Sequence, residues 1–345
     1  MSLISLSSPG SHGSDSHTWA LVLAGGEGTR LRQLTTTHAG MAVPKQYCSL
    51  VGGQTLLEEA IARAEGVVPR ERICSIVAHQ HRHWWPTLLA EHSSRNIIVQ
   101  PRGRGTGIGI LYSVLHIAAR DPQARIVVVP ADHHVRDEPT LRQGLRAALK
   151  RVERQPDRPV LIGLEPERID PELGYILPGK LDSSGVQTVT RFIEKPDASQ
   201  AAVLIAEGGL WNTFILAASA EALLSLFMVR YAPIALEMQV LVSHALNSGS
   251  VGGAWASLVD LYERLPVLDF SRDLLEGNED KLHVLPVPEC GWSDLGTPGR
   301  VAETLKRLPP EHVSRVRRRR TPFVDLAAQH ALYVRHSESS SAAPG

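Results

Sequence analysis

The stretch Gly25-Gly26-Glu27-Gly28-Thr29-Arg30 sets three glycines, a hydroxyl and a fixed positive charge directly after the apolar run Trp19 to Leu23. Glycines at such a turn leave no Cβ between backbone and ligand, so successive N–H groups form an anion-binding nest. Arg30 reinforces the nest with a planar fork of donors. The chemistry suggested is a phosphate cradle, and a turn that merely ends a strand is the plain alternative. Two familiar cradles are excluded. A P-loop requires Gly-Lys-Ser/Thr, where this chain has Gly28-Thr29-Arg30. A dinucleotide fingerprint requires glycine where Leu31 stands.

Two carboxylates have suggestive settings. Asp132 comes just past the most hydrophobic run, Ile126-Val127-Val128-Val129, and Asp294 follows a late apolar stretch, Leu282 to Val287. A carboxylate beside a phosphate cradle suits Mg²⁺, which takes one or two protein carboxylates and fills its octahedron with phosphate oxygens and water. Spacing alone does not bring the two aspartates together, and on residue type each is more commonly a turn or helix-cap carboxylate. His81-Arg82-His83 and His133-His134 lack zinc spacing, which assigns them surface or capping roles. Trp84-Trp85 reads as core or partner packing, and neither Cys48 nor Cys290 has a base partner that would make it a nucleophile.

Positioning these groups requires an α/β framework. Strands are expected at Trp19–Leu23, Ile73–Ala78, Asn96–Gln100, Arg125–Pro130 and Val160–Leu164, alternating with helices from Thr55, around Pro86–Glu91, at Ile108–Ala119 and at Thr140–Glu153. Thr55 with Glu58, and Asp197 with Gln200, have capping-box spacing. This alternation implies a Rossmann-like, mainly parallel sheet. Both the first glycine turn and a second, Gln100 to Gly107, follow strands, so both should line one crevice at the carboxyl ends. The second half is more mixed: strands at Gly174–Ile176, Val189–Glu194, Trp211–Ala217 and Leu282–Val287, with one mostly helical run from Ser219 to Asn247.

The 345 residues suffice for a substantial core, and Lys plus Arg equals Asp plus Glu at 36 each, so no global field points to nucleic acid or a membrane. No apolar run reaches the ~20 residues that span a bilayer. The Ser-, Gly- and His-rich start lacks a secretory h-region, and three scattered cysteines form neither a disulfide framework nor a zinc site. A cytoplasmic protein is expected. The domain reading is a flexible tail 1–17, a catalytic domain 18–308, and a basic, low-complexity segment 309–345 containing Arg315 and Arg317 to Arg320. The residues beyond about Glu311 are expected to bury little surface and to be dispensable for chemistry.

Leu23-Ala24-Gly25-Gly26-Glu27-Gly28-Thr29-Arg30-Leu31 resembles the first signature of the sugar-nucleotide pyrophosphorylases, and Pro44-Lys45-Gln46 resembles their second. Val129-Pro130-Ala131-Asp132-His133, Phe192-Ile193-Glu194-Lys195-Pro196, Trp211-Asn212 and Gly291-Trp292-Ser293-Asp294-Leu295-Gly296 add further blocks in the expected order, over residues 20 to about 300. The branch most similar is mannose-1-phosphate guanylyltransferase, although Gln100 and Gly105 depart from its Glu-Pro-x-Gly-Arg-Asn-Thr-Ala turn.

The resemblance implies a nucleotidyltransferase fold whose second half binds a sugar. It implies transfer from GTP to a sugar 1-phosphate, with Mg²⁺ as cofactor and a homodimer as an allowed assembly. It places Gly25, Gly26, Gly28, Thr29 and Arg30 on the triphosphate and Lys45 at the α-phosphate. Gly103 and Thr106 fall by the base, Asp132 and Asp294 on the metal, and Gly174, Glu194, Lys195 and Asn212 on the sugar phosphate. Another nucleotide or sugar, and a degenerate nucleotide-sugar binder, are the alternatives. Where that branch has Trp-Asn-Ser-Gly-Met-Phe, this chain has Trp211-Asn212-Thr213-Phe214; either Phe214 takes the glycine's place or a short deletion does. Looser sugar selectivity, with glucose 1-phosphate as a second substrate, is the expected consequence.

Overall fold

The computed structural model describes residues 15–309 except 182, 184, 249 and 250, together with 324–326, 328–331 and 334. Among the described residues one mixed sheet runs through the molecule. Its strands are β1 (Thr18–Ala24), β2 (Ile73–Ala78), β3 (Ile97–Gln100), β4 (Arg125–Pro130), β5 (Val160–Leu164), β6 (Tyr175–Leu181), β7 (Gln187–Ile193), β8 (Leu210–Ser219) and β9 (His283–Val287). The spatial order is β3-β2-β1-β4-β8-β5-β9-β7-β6, and β6 also pairs with β8. The first four strands are mutually parallel. β8 runs antiparallel to both β4 and β5 and so turns the parallel half into the mixed half.

The helices are α1 (Leu56–Glu65), α2 (Trp85–Leu88), α3 (Gly105–Ala118), α4 (Glu138–Arg154), α5 (Ala198–Ala206), α6 (Ala220–Arg230), α7 (Ala232–Ser248), α8 (Val251–Arg264) and α9 (Pro298–Arg307). They cover both faces of the sheet, which is why β1 is apolar along its length rather than alternating. Successive side chains point to opposite faces: Leu21 joins Ile76, Ile108 and Ile126 on one side, and Val22 joins Leu57, Val127 and Leu145 on the other. Both predicted capping boxes form, at Thr55–Glu58 and at Asp197–Gln200.

Several expectations are corrected. α3 starts at Gly105, so Gly105, Thr106 and Gly107 are its first turn, and Gly107 N–H donates to the Leu268 carbonyl at 2.8 Å. The helical run after Ser219 breaks at Tyr231. α8, α9 and a π-helical turn at Phe270–Leu275 have no counterpart in the sequence reading. Asp15–His17 form a 3-10 turn, and His17 Nδ1 lies 2.8 Å from Asp121 Oδ1, so the supposed tail is anchored at its end.

At the other terminus Val324 and Leu326 are buried against Leu50 and Leu56. The Ser49 N–H donates to the Val324 carbonyl at 3.0 Å, and the Leu326 N–H donates to the Ser49 carbonyl at 2.8 Å. The segment beyond 311 therefore does bury surface there. Residues 1–14 of the expected tail, the Arg315 and Arg317–Arg320 run, and Ser337 to Gly345 lie outside the described residues. Among the described residues no helix is long and apolar enough to cross a membrane.

Candidate active site

The carboxyl ends of β1 to β4 open on a cavity of about 680 Å³. One end takes Gly25, Gly26 and Arg30 from the turn after β1, Asp132 from the end of β4, and Asp294 from the loop after β9. Gly103 and Thr106 line one side, and Gly174, Glu194, Lys195 and Asn212 line the far end. Gly28, Thr29 and Lys45 are not in the wall; Lys45 is buried behind it, whereas Thr29 is exposed. Gly28 has φ +61°, and a Cβ there would lie 2.9 Å from the Lys45 backbone nitrogen, so glycine is required twice over.

Lys45 joins the two aspartate segments that spacing left apart. Its side chain is buried, and Nζ lies 2.7 Å from Asp132 Oδ2 while donating to the Asp294 carbonyl at 2.7 Å. The Gln46 Nε2 beside it donates to the carbonyls of Ala24 and Gly26, 2.9 Å each, and fixes the glycine turn from below. Arg30 is half exposed and meets Glu172 Oε2 at 2.5 Å across the mouth of the cavity.

Burial raises the Asp132 carboxyl, but the charges of Lys45 and then His133 outweigh it and hold the group below the usual range. Burial likewise raises Asp294, and Arg300 more than offsets it. Arg300 Nη1 lies 2.6 Å from both Asp294 oxygens, while its Nε and Nη2 hold Asp170 at 3.0 and 2.6 Å. Sequence reasoning missed this buried triad because α9, which carries Arg300, was not foreseen. It also gave His133 a surface or capping role. The structure buries His133 in the cavity wall, where Trp292 Nε1 donates to its Nδ1 at 3.3 Å. Burial pushes its pKa down to about 4, so the imidazole is neutral near pH 7 and is charged only in the acid range where Asp132 itself titrates.

The far end is held in unusual backbone. Among the described residues the non-glycines with positive φ are Lys195 (53°), Phe214 (60°) and Leu295 (47°). The first two line the cavity and the third follows Asp294. Such conformations cost of order 1–3 kcal/mol each and persist where surroundings over-determine them. Phe214 sits where the pairing of β5 with β8 shifts register between Leu161 and Gly163. Its N–H donates to Asn212 Oδ1 at 3.1 Å. A φ that favours glycine supports reading Phe214 in a glycine's place. Nearby, burial raises the Glu194 carboxyl, partly offset by Lys195, whose Nζ is 3.3 Å from Oε1. A Cβ on Gly174 would come within 2.6 Å of Glu194 Oε2.

The donor set suits a hard cation only in company. Asp132 Oδ1 keeps His133 Nε2 at 3.7 Å, beyond hydrogen-bond distance, whereas both Asp294 oxygens are held by Arg300. No group of three or more His, Cys, Asp or Glu side chains is gathered for a metal among the described residues. These residues fit a Mg²⁺ that arrives with phosphate oxygens and water, led by Asp132. Cys48, Cys74 and Cys290 are buried free thiols, and burial raises the pKa of each. Trp84 and Trp85 pack against the core as expected.

A family model described as nucleotidyl transferase matches residues 19–308. A mannose-1-phosphate guanylyltransferase of Escherichia coli is 28% identical over 284 residues, which cover 80% of this chain and 58% of that protein. An alginate biosynthesis protein AlgA of Pseudomonas aeruginosa is 29% identical over 201 residues, covering 56% of this chain and 40% of that one. The crystal structure of a mannose-1-phosphate geranyltransferase from Thermus thermophilus has a TM-score of 0.69 at 27% identity, covering 85% of this chain and 80% of that chain. The chain thus spans a little over half the length of the curated guanylyltransferases it matches.

Proposed function

The chain belongs to the nucleotidyl transferase family, and from that premise we propose that it transfers a nucleotidyl group from GTP to mannose 1-phosphate, giving GDP-mannose and pyrophosphate. The observation that carries the reading is one cavity with a glycine-and-cation end facing an amide-and-carboxylate end. A phosphate oxygen of the sugar phosphate attacks the α-phosphorus in line. As that bond forms, the bond to the bridging oxygen breaks and the pyrophosphate leaves with its electron pair. No side-chain nucleophile is needed, because catalysis rests on positioning and charge neutralisation.

Lys45 is suited to charge that develops at the α-phosphate: Asp132 and the Asp294 carbonyl fix its ammonium, so little reorganisation is needed. Arg30 is suited to gripping the outer phosphates, because its exposed pair with Glu172 is weak and readily exchanged. Asp132, with Asp294, would hold Mg²⁺, whose chemistry is to neutralise triphosphate charge. Asn212 and Glu194 supply a donor and acceptors for sugar hydroxyls.

Phe214 favours a second reading of the acceptor, in which glucose 1-phosphate is also used, since a phenyl ring stands in the wall where a glycine would let backbone approach. Pyrophosphate release measured across a matrix of nucleotides and sugar 1-phosphates tests both. The highest kcat/KM is expected for GTP with mannose 1-phosphate. No release with any pair would leave the binder reading instead.

A further inference from the structure

Behind the catalytic loops lies a second cavity of about 370 Å³, bounded by α1, the chain after β4, the start of α4, and Leu308 and Pro309. Its wall carries three guanidiniums, Arg63, Arg136 and Arg142, and the imidazole of His134, against the carboxylates of Glu59 and Glu138. Arg63 and His134 are each more than nine-tenths buried. Arg63 Nη1 and Arg142 Nε are buried N–H donors with no hydrogen-bond partner, and His134, whose Nδ1 faces Glu59 Oε2 at 3.4 Å, leaves its buried Nε2 unpartnered beside them. Buried nitrogens without partners are rare because each forfeits its hydrogen bond to water. The two guanidinium donors, from two different helices, mark a place that lacks its acceptor.

We propose that this cavity is a second anion site, which binds a small phosphate-bearing ligand and transmits its occupancy to the active site. The donors come from α1, α4 and the end of β4, so they approach from several directions. A tetrahedral oxyanion presents acceptor oxygens in all such directions, whereas a carboxylate's acceptor sites lie close to one plane. The volume exceeds that of a bare phosphate and lies within the range of small-molecule pockets.

The transmission path is short. Arg63 donates through Nη2 to the His133 carbonyl at 3.4 Å, and Nε and Nη2 also hold Glu138. The His134 N–H and carbonyl pair with the carbonyl and N–H of Ser293 at 2.9 Å each. The Asp137 N–H continues this ladder to the Cys290 carbonyl at 2.8 Å. One side of the ladder is the new cavity; the other carries Asp132 and Asp294. An anion that draws Arg63 and His134 outward moves the backbone to which both aspartates belong.

The test uses the full chain and inorganic phosphate as the probe. Melting temperature and steady-state kinetics are measured against phosphate for the wild type and for Arg142→Gln and Arg136→Gln, neither of which lines the first cavity. The expected result is a melting temperature that rises with phosphate even with GTP present in excess. A change of at least twofold in turnover, not relieved by more substrate, should accompany it. Both responses should be lost in Arg142→Gln while its phosphate-free turnover stays within about twofold of wild type. A phosphate effect that GTP abolishes, or that both variants retain, would mean that phosphate binds only the first cavity and would overturn the site. Stabilisation without any kinetic effect would overturn the transmission. The melting readout does not depend on which nucleotide or sugar the enzyme uses, so its failure is separable from that of the proposed reaction.

Discussion

At the glycine end of the active-site cavity, the proposed phosphate end, the wall is backbone from Gly25 and Gly26, backed by a lysine that two aspartate segments clamp. At the opposite end, proposed for the sugar, it is side chains, and two of them, Lys195 and Phe214, are held in conformations that favour glycine. The phosphate end uses glycine where geometry demands it. The sugar end forces larger residues into such geometry. Binding a triphosphate asks for N–H groups and fixed charge, which any backbone supplies, whereas discriminating hydroxyl positions asks for side chains held in place even at the cost of strain.

If charge neutralisation is the phosphate end's main work, its loss should be the largest effect. Asp132→Asn should lower turnover about a hundredfold or more at limiting Mg²⁺ with the fold intact. Asp294→Ala should lose as much, but it also leaves Arg300 with Asp170 as its remaining carboxylate partner, so a lowered melting temperature should accompany it. Near-normal turnover in correctly folded Asp132→Asn would remove the proposed metal role. Lys45→Ala and Arg30→Ala divide the same end. The clamped lysine should cost turnover, by about tenfold to a hundredfold with little change in nucleotide KM, and the mobile arginine should raise that KM severalfold. A Lys45→Ala enzyme altered only in KM would break the division.

Support from the C-terminal segment is a third difference. Leu326 packs beside Ser49, four residues after Lys45, so Leu326→Ala should destabilise by about 2–3 kcal/mol and shift the denaturant midpoint. An unchanged midpoint would show the contact to be immaterial. This departs from the sequence expectation, which saw only a polar terminus.

The two ends also differ in how well the sequence announces them. Strands buried on both faces are continuous apolar runs, so the bounds of β2, β4 and β5 are as read from the chain. Gly25 and Arg30 announce a cradle by residue type alone. The sugar end gives no such signal. Phe214 carries nothing that marks a positive φ, and Asn212 and Glu194 were singled out only by resemblance. Arg300 gave no signal at all, because its helix was not foreseen and its meaning depends on Asp170, 130 residues away. His133 misled because its burial depends on Trp292, which arrives from the far end of the chain.

Phe214→Gly should sharpen the contrast. The substitution relieves roughly 1–2 kcal/mol of left-handed strain but loses a comparable amount of packing against Phe270, so stability should scarcely move. Selectivity is the informative readout. The ratio of kcat/KM for mannose over glucose 1-phosphate should rise about tenfold as the backbone regains close approach. An unchanged ratio would mean that Phe214 is a strained strut and not a selector.

The smallest effect is the one in which the two ends should have opposite signs. Burial raises the Glu194 carboxyl above the ordinary 4.5. Between that value and the raised one the native state binds more protons than the unfolded chain, so stability falls as pH rises through this window. Asp132 is held below its ordinary 3.8 by Lys45 and His133, which overcome its burial. Its contribution is present above that value and is lost as pH falls through the depressed one. Glu194→Gln removes the first titration. Its melting temperature relative to wild type should therefore climb as pH goes from about 4 toward neutrality and then level off. Asp132→Asn, whose partner Lys45 loses its counter-charge, should fall relative to wild type over the acid range and stay low. Melting curves from pH 3 to 8 distinguish these outcomes. A Glu194→Gln difference that is flat, or that shrinks with rising pH, would show that Lys195, 3.3 Å away, already neutralises the buried carboxylate. The sugar end would then be set apart by its backbone alone.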